Sequence, residues 1–289
     1  MVIVLNEKKR NMKIYFFFLL FIIVSISQAQ TAANKTDDKG LKQGYWVKLN
    51  PKTGKPFYKG TFKDDKPVGV FKYYYEEIDT IKTIMEFKNN GTVGYATMFY
   101  MTGAKQAKGK YVNEQKDSVW TIYDESGKIL SSESYKAGKR HGKSIVYLQN
   151  GDIAEERSFK NDINDGPYKM YFEGKKLKGE GNYVAGKLVG KNAYYYPSGT
   201  IAAIGYYNNN GNKNGVWLYK NNEGKVTSKD VYDDGKLLNE KEAAEWLQKN
   251  KGKEPKEEPT KNPKGKKTDT TKSSKGTTKS GTPAKSTKK

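Results

Sequence analysis

His141 is the only histidine in the chain, and it stands in Lys139-Arg140-His141-Gly142, just ahead of a glycine. As a general base it would need an oriented partner and a nucleophile. As turn filler it needs nothing, and it is read that way. The chain has no Cys, which excludes disulfides, thiolate zinc sites, iron–sulfur clusters and cysteine nucleophiles. One histidine likewise excludes multi-histidine metal sites. Paired carboxylates occur at Asp64-Asp65, Glu76-Glu77, Glu155-Glu156 and Asp233-Asp234. A glycosidase needs two carboxyls roughly 5–10 Å apart, one of them kept protonated. These pairs fall in turns and polar strands, where solvation is the default. Asn161-Asp162-Ile163-Asn164-Asp165-Gly166 looks like a calcium loop, but Ile163 takes a ligand position and no Glu closes it. Gly179-Glu180-Gly181 lacks the further glycine and the helix of a phosphate loop. The expectation is no enzyme, no metal and no cofactor.

Aromatic residues recur with a period. Gly44, Gly69, Gly94, Ser118, Gly142, Gly166, Gly190 and Gly215 follow one another at intervals of 24 or 25 residues. Two places after each of these anchors stand Trp46, Phe71, Ala96, Trp120, Ser144, Tyr168, Asn192 and Trp217. From the second unit onward, large rings alternate with small or polar residues. One reading is packing, with large and small neighbours interdigitating along a face. The other is an exposed ladder, in which Trp46, Phe71, Trp120, Tyr168 and Trp217 bind an extended protein or glycan ligand. Strand parity puts Tyr123, Tyr147, Tyr171 and Tyr195 on the face opposite Trp120 and Tyr168. Their presence in successive units suits stacking between repeats. The polar interruptions at Ser144 and Asn192 count against a dry core on the other face.

The elements that position these residues follow from two further landmarks. A second glycine lies eight to ten places after seven of the anchors, as in Gly103, Gly127 and Gly199, and an aromatic closes every unit, from Phe62 to Tyr232. Each unit therefore reads as a hairpin, with the second glycine at its tip where φ must be positive. A polar turn such as Asp64-Asp65 or Ala137-Gly138 leads into the next unit. Hairpins of this length cannot bury a core alone and must stack on their neighbours. Eight units predict an all-β fold, an elongated, twisted antiparallel meander. Gly60, Gly109, Gly181 and Gly205 sit two residues before a closing aromatic, where a strand glycine permits close approach or bending. The second unit is irregular, because Glu76-Glu77-Ile78-Asp79 replaces its tip glycine.

The flanks differ in kind. A basic start and the apolar run 14–26 end at Ser27-Gln28-Ala29, which reads as a secretory signal peptide over 1–29. A run of thirteen residues, apolar except for Ser25, is too short for a transmembrane span, and none is expected in the mature chain. A linker (30–40), the repeat domain (41–237) and a short capping helix (238–250) follow. Asn239 is the expected N-cap, and Ala243, Trp246 and Leu247 share one face. No comparable N-terminal cap is evident. The tail 251–289 is Lys, Thr, Ser, Gly and Pro, carries +9 of the formal net charge of +21, and reads as disordered. It suits electrostatic contact with anionic surfaces. No feature points to a specific nucleic acid.

The units Val119-Trp120-Thr121-Ile122-Tyr123 through Gly127-Lys128 and Gly215-Val216-Trp217-Leu218-Tyr219 through Gly224-Lys225 resemble the MORN repeat family. The likeness is to the bacterial variant found in proteins labelled YwqK-family antitoxins, and it covers about Gly44 to Gly235. It implies a β meander used for protein or membrane contacts and not for catalysis. The expectation is an exported, periplasmic or extracellular, non-catalytic binding scaffold whose partner is a protein or an envelope polymer. The alternatives are a toxin-neutralising or immunity protein and, more remotely, an envelope glycan hydrolase.

Overall fold

The computed structural model describes residues 33–76 and 78–251. The leader at 1–29 and all of the tail but Lys251 lie outside the described residues. Eight hairpins form, one per predicted unit. They pair Lys42–Leu49 with Pro56–Lys63, Lys66–Tyr74 with Ile81–Lys88, Val93–Phe99 with Lys105–Val112, and Gln115–Tyr123 with Ile129–Lys136. The second four pair Lys139–Tyr147 with Ile153–Lys160, Gly166–Tyr171 with Leu177–Val184, Gly190–Tyr195 with Ile201–Tyr207, and Lys213–Lys220 with Val226–Asp233. With short strands at either end, they make one long open antiparallel sheet of 18 strands in a meander. No helix among the described residues is long and apolar enough to cross a membrane.

Turn chemistry explains why these hairpins form. At the tips, Gly103, Gly127, Gly151, Gly199 and Gly224 all have φ between 85° and 89°. The Gly127 amide donates to the Asp124 carbonyl at 3.0 Å, and the Asp124 amide donates to the Lys128 carbonyl at 2.9 Å. This is the three-residue loop that requires a left-handed residue. Between hairpins, two consecutive residues take positive φ, as in Asp64-Asp65 (51°, 61°), Asn113-Glu114 (48°, 64°) and Asn161-Asp162 (51°, 70°). Such turns twist in the same sense as the strands they join, which is why short Asp and Asn residues fill them.

Seven of the eight anchors also have positive φ; Gly94 is the exception. Most hairpin-to-hairpin junctions carry a bulge here. Between the third and fourth hairpins, Lys108 pairs with Thr121 and Lys110 with Asp117, so Gly109 faces Ser118, Val119 and Trp120. The same pattern sets Gly60 against Gly69–Phe71 and Gly205 against Gly215–Trp217. Between the second and third hairpins the register runs without a shift from Lys88↔Val93 to Thr83↔Met98.

Both sheet edges are covered. The chain entering the sheet corrects two expectations, since part of the segment read as a linker is a cap. Lys35–Thr36 pairs with the first hairpin. The Asn34 carboxamide then bridges Val47, accepting from its amide at 2.8 Å and donating to its carbonyl at 3.0 Å. At the other end Lys236–Leu237 adds to the last strand, and the helix Glu240–Lys249 follows with a full capping box between Asn239 and Glu242.

Candidate functional site

The exposed-ladder reading is corrected by the packing. Phe71, Trp120 and Trp217 are 1% exposed and Tyr168 is 3% exposed, while Trp46 on the first hairpin is half-buried. Each fully buried ring of the bulged junctions lies over a glycine of the preceding strand. A methyl group on Gly60, Gly109 or Gly205 would overlap the rings of Phe71, Trp120 and Trp217 respectively. The bulge also frees a carbonyl, and the indole N–H uses it. Trp120 Nε1 donates to the Lys110 carbonyl, and Trp217 Nε1 to the Tyr206 carbonyl, both at 3.1 Å. Closing aromatics meet the rings edge-on, Tyr111 against Trp120 at 4.9 Å and Tyr207 against Trp217 at 5.1 Å between centroids. A lysine two places before the anchor roofs the stack. Lys116 Nζ lies 4.6 Å from the Trp120 centroid and Lys213 Nζ 4.6 Å from that of Trp217. These aromatics are core.

Size complementarity orders most of the row, with Arg157/Tyr168 the exception. The residue two before a closing aromatic and the one two after the next anchor make the pairs Gly60/Phe71, Met85/Ala96, Gly109/Trp120, Glu133/Ser144, Arg157/Tyr168, Gly181/Asn192 and Gly205/Trp217. Asn192 is fully buried at 0% and accepts from the Tyr168 hydroxyl at 3.1 Å. That bond answers the objection to polar residues on this face. In the middle of the sheet the row turns charged. Ser144 sits between Glu133 and Arg157 in cross-strand register. Glu133 accepts from the Tyr135 hydroxyl at 2.6 Å, and Arg157 pairs with Glu155 through Nε and Nη2. Burial, and then the Glu133 carboxylate, push the Tyr135 hydroxyl well above the usual phenol range. The result is a satisfied network, with its charges partnered.

This face opens into a cleft at the second junction, where the bulge is missing and the size order reverses. Buried Thr83 and Ala96 leave space there, and a cleft of about 610 Å³ forms. Tyr73, Met85, Met98 and Tyr111 line it, and Phe57, Tyr75 and Met101 stand at its margin. The irregular second hairpin tip contributes Tyr75 and Glu76. The Tyr75 hydroxyl donates to the Phe99 carbonyl at 2.7 Å, which pins this ring to the next hairpin. Burial raises the hydroxyl pKa of both Tyr73 and Tyr111 above the ordinary value, so both are neutral donors at neutral pH. Thioethers and neutral phenols suit an apolar or aromatic side chain of a ligand. Sequence reasoning noticed the odd tip but not the cleft. Gly94 is a glycine like every sister anchor but Ser118, and only the paired Met85 and Ala96 signalled the reversed packing.

Among the described residues, those considered for catalysis are not brought together; Glu77 lies outside the described residues. His141 is half-buried beside an anchor, with Nδ1 unpartnered. Asp64-Asp65 fill a turn, and Asp234 accepts from Asn208 and Asn212 at the last one. Glu155 and Glu156 point to opposite faces, one to Arg157 and one to Lys143 at 3.0 Å. No cluster of three His, Asp or Glu residues among the described residues has metal-binding geometry.

A period of 24 residues, a positive-φ anchor and a ring seated over the previous hairpin define the repeat. The family model of the MORN repeat variant matches it four times in tandem, at 116–137, 140–161, 164–185 and 188–209. Residues 116–209 are MORN repeats. Each match runs from the start of one hairpin to the turn before the next, and so coincides with one structural unit. Hairpins one to three and the last hairpin share the architecture outside the matched span. No curated protein matches the chain. Among solved structures, a mutant of S. aureus TarM in complex with Fondaparinux, alpha-GlcNAc-glycerol and UDP is similar at 8% identity with a TM-score of 0.21. The match covers 42% of this chain, which spans 19% of that protein, and it carries no argument here.

Proposed function

We propose that this chain is an exported, non-catalytic MORN-repeat scaffold that holds a protein or envelope-polymer partner through the cleft between its second and third hairpins. The observation that carries the reading is the cleft itself. It opens at the junction where the bulge and the ring-over-glycine packing lapse, and Tyr and Met side chains line it. Export rests on the leader pattern at 1–29, and contact with anionic surfaces on the +9 tail. Full-length protein immobilised on resin and exposed to envelope extract is expected to retain a partner, and Met101→Asp at the cleft margin to release it. Retention unchanged by Met101→Asp would remove the cleft from the proposal. Turnover of a cell-wall polymer by the wild type would overturn the scaffold reading, and a retained toxin would convert the scaffold into the neutralising protein. N-terminal sequencing of the secreted or periplasmic fraction is expected to begin at Gln30.

A further inference from the structure

The sheet has a second face, and its two ends are treated differently. The residue immediately after each anchor lies on the face away from the rings. In the last hairpin it is Val216, 3% exposed, paired across to Val231, 4% exposed. The C-terminal helix approaches this hairpin at its anchor, Gly215. Trp246 Cη2 lies 3.2 Å from where a Cβ on Gly215 would stand. Ala243, Trp246 and Leu247 form the helix's half-buried stripe, and Glu242 on its flank binds Lys236 Nζ at 2.8 Å. In the first four hairpins the equivalent residues are Tyr45, Val70, Tyr95 and Val119, exposed by 44%, 54%, 50% and 54%. The fifth, sixth and seventh hairpins carry Lys143, Pro167 and Lys191 instead. In hairpins one to four this position is apolar and, among the described residues, uncovered. The strands between its rungs carry Thr61, Glu86 and Lys110, with Glu86 paired to Lys88 at 2.6 Å and Lys110 to Asp117 at 3.8 Å.

Beside these apolar positions runs a row of cations. Lys59, Lys72 and Lys108 lie one cross-strand row away on the same face, Lys59 and Lys72 directly opposite one another. No carboxylate among the described residues lies within 4.0 Å of any of the three. Like charges side by side destabilise a sheet unless something opposite in sign sits over them. Successive hairpins advance two strands, about 9.6 Å, while two turns of helix advance about 10.8 Å. The row from Tyr45 to Val119 is about 29 Å long, close to the length of a 20-residue helix.

We infer that Tyr45, Val70, Tyr95 and Val119 form a docking surface for an acidic amphipathic helix of a partner protein. At hairpin eight the chain's own amphipathic helix already lies against the sheet, with Trp246 beside Gly215. The partner presents an apolar residue to each rung at roughly heptad spacing, and its carboxylates meet Lys59, Lys72 and Lys108. This surface is independent of the cleft.

The test uses the full chain and two labelled 20-residue helical peptides with Leu at heptad spacing, one flanked by Glu and one by Lys, read by fluorescence anisotropy. The Glu peptide is expected to bind at least tenfold more tightly than the Lys peptide. Val70→Asp with Val119→Asp is expected to weaken it tenfold or more without changing the melting temperature, because both positions are exposed. Met101→Asp, on the other face, leaves peptide binding unchanged. Equal binding of the two peptides, or full binding by the double variant, overturns the inference. So does a wild-type dimer in sedimentation that the double variant abolishes, which would give the row to a second copy. Binding to anionic vesicles that the double variant alone loses, with the peptide unaffected, would give it to a membrane.

Discussion

The junction between hairpins three and four and the junction between hairpins four and five occupy neighbouring places in the same sheet, yet they solve one packing problem in opposite ways. The former sets a fully buried indole, Trp120, over a glycine, Gly109, and roofs it with Lys116. The latter sets Ser144 between Glu133, whose carboxylate is held by Tyr135, and Arg157, which brings its own partner, Glu155. Burying an aromatic stabilises through area removed from water and through edge contacts. A half-buried charged network contributes less, because each group loses hydration as it gains a partner. The repeat therefore specifies geometry rather than chemistry. Any pair of side chains that fills the space and satisfies its polar atoms is accepted.

The largest effect that would break this comparison is loss of the ring. Trp120→Ala is expected to destabilise the chain by about 3–5 kcal/mol, the usual cost of truncating a large buried aromatic. Ser144→Ala, at the equivalent place one hairpin on, is expected to fall within about 1 kcal/mol. Urea unfolding of both variants checks the difference, and similar values for the two would show that Trp120 is not core. Next in size is Gly109→Ala. Its methyl would overlap the indole, so about 1–3 kcal/mol is expected from overpacking. Combined with Trp120→Ala, the methyl should cost almost nothing further.

The comparison can also be sharpened by transplanting one solution into the other site. Glu133→Gly deprives the Tyr135 hydroxyl of its acceptor, and Ser144→Trp sets a large ring against Glu133. Each alone is expected to cost about 1–3 kcal/mol. Together they recreate the glycine and indole of the preceding junction. The double variant is expected to be at least about 1 kcal/mol more stable than the sum of the singles predicts. Strict additivity in a double-mutant cycle would mean that size pairing across the junction is incidental.

Much of this was legible in the residues. The 24-residue period, the tip glycines and the polar turns place all eight hairpins, because each depends on local φ and on side chains a few positions apart. The row of aromatics was harder to read, and the exposed-ladder alternative shows why. Parity arguments assume an unbroken strand. Register shifts at the anchors and between Ile122 and Tyr123 break that assumption within a few residues. The decisive signal was nevertheless present. Gly60, Gly109 and Gly205 each stand eleven or twelve residues before Phe71, Trp120 and Trp217, and Lys116 and Lys213 stand four before the indoles they cover. Those are contacts between consecutive repeats, invisible when each repeat is read alone. The cover of the N-terminal edge by Asn34 escaped for a different reason. One carboxamide standing in for a strand has no periodicity to announce it.

The smallest effect tests whether the two regions differ only in their cores. The turn from hairpin four to five uses Ala137-Gly138, and the turn from hairpin six to seven uses Ala185-Gly186. Ala137 has φ of 49° and Ala185 φ of 48°, a left-handed conformation in which Cβ crowds the following carbonyl. Sister turns place Asp64, Asn113 and Asn161 at this position, residues that tolerate it through local hydrogen bonding. Ala137→Asn and Ala185→Asn are each expected to stabilise by about 0.5–1 kcal/mol, since most of the αL penalty on alanine is relieved. Ala137 leads into the polar junction, whereas Ala185 precedes a junction built on Gly181 and buried Asn192. If the backbone of the repeat is indifferent to what fills its core, the two gains should agree to within about 0.3 kcal/mol and add in the double variant. A gain at Ala185 with a loss at Ala137 would show that the charged network dictates the conformation of its own turn, and the two junctions would then differ in more than their side chains.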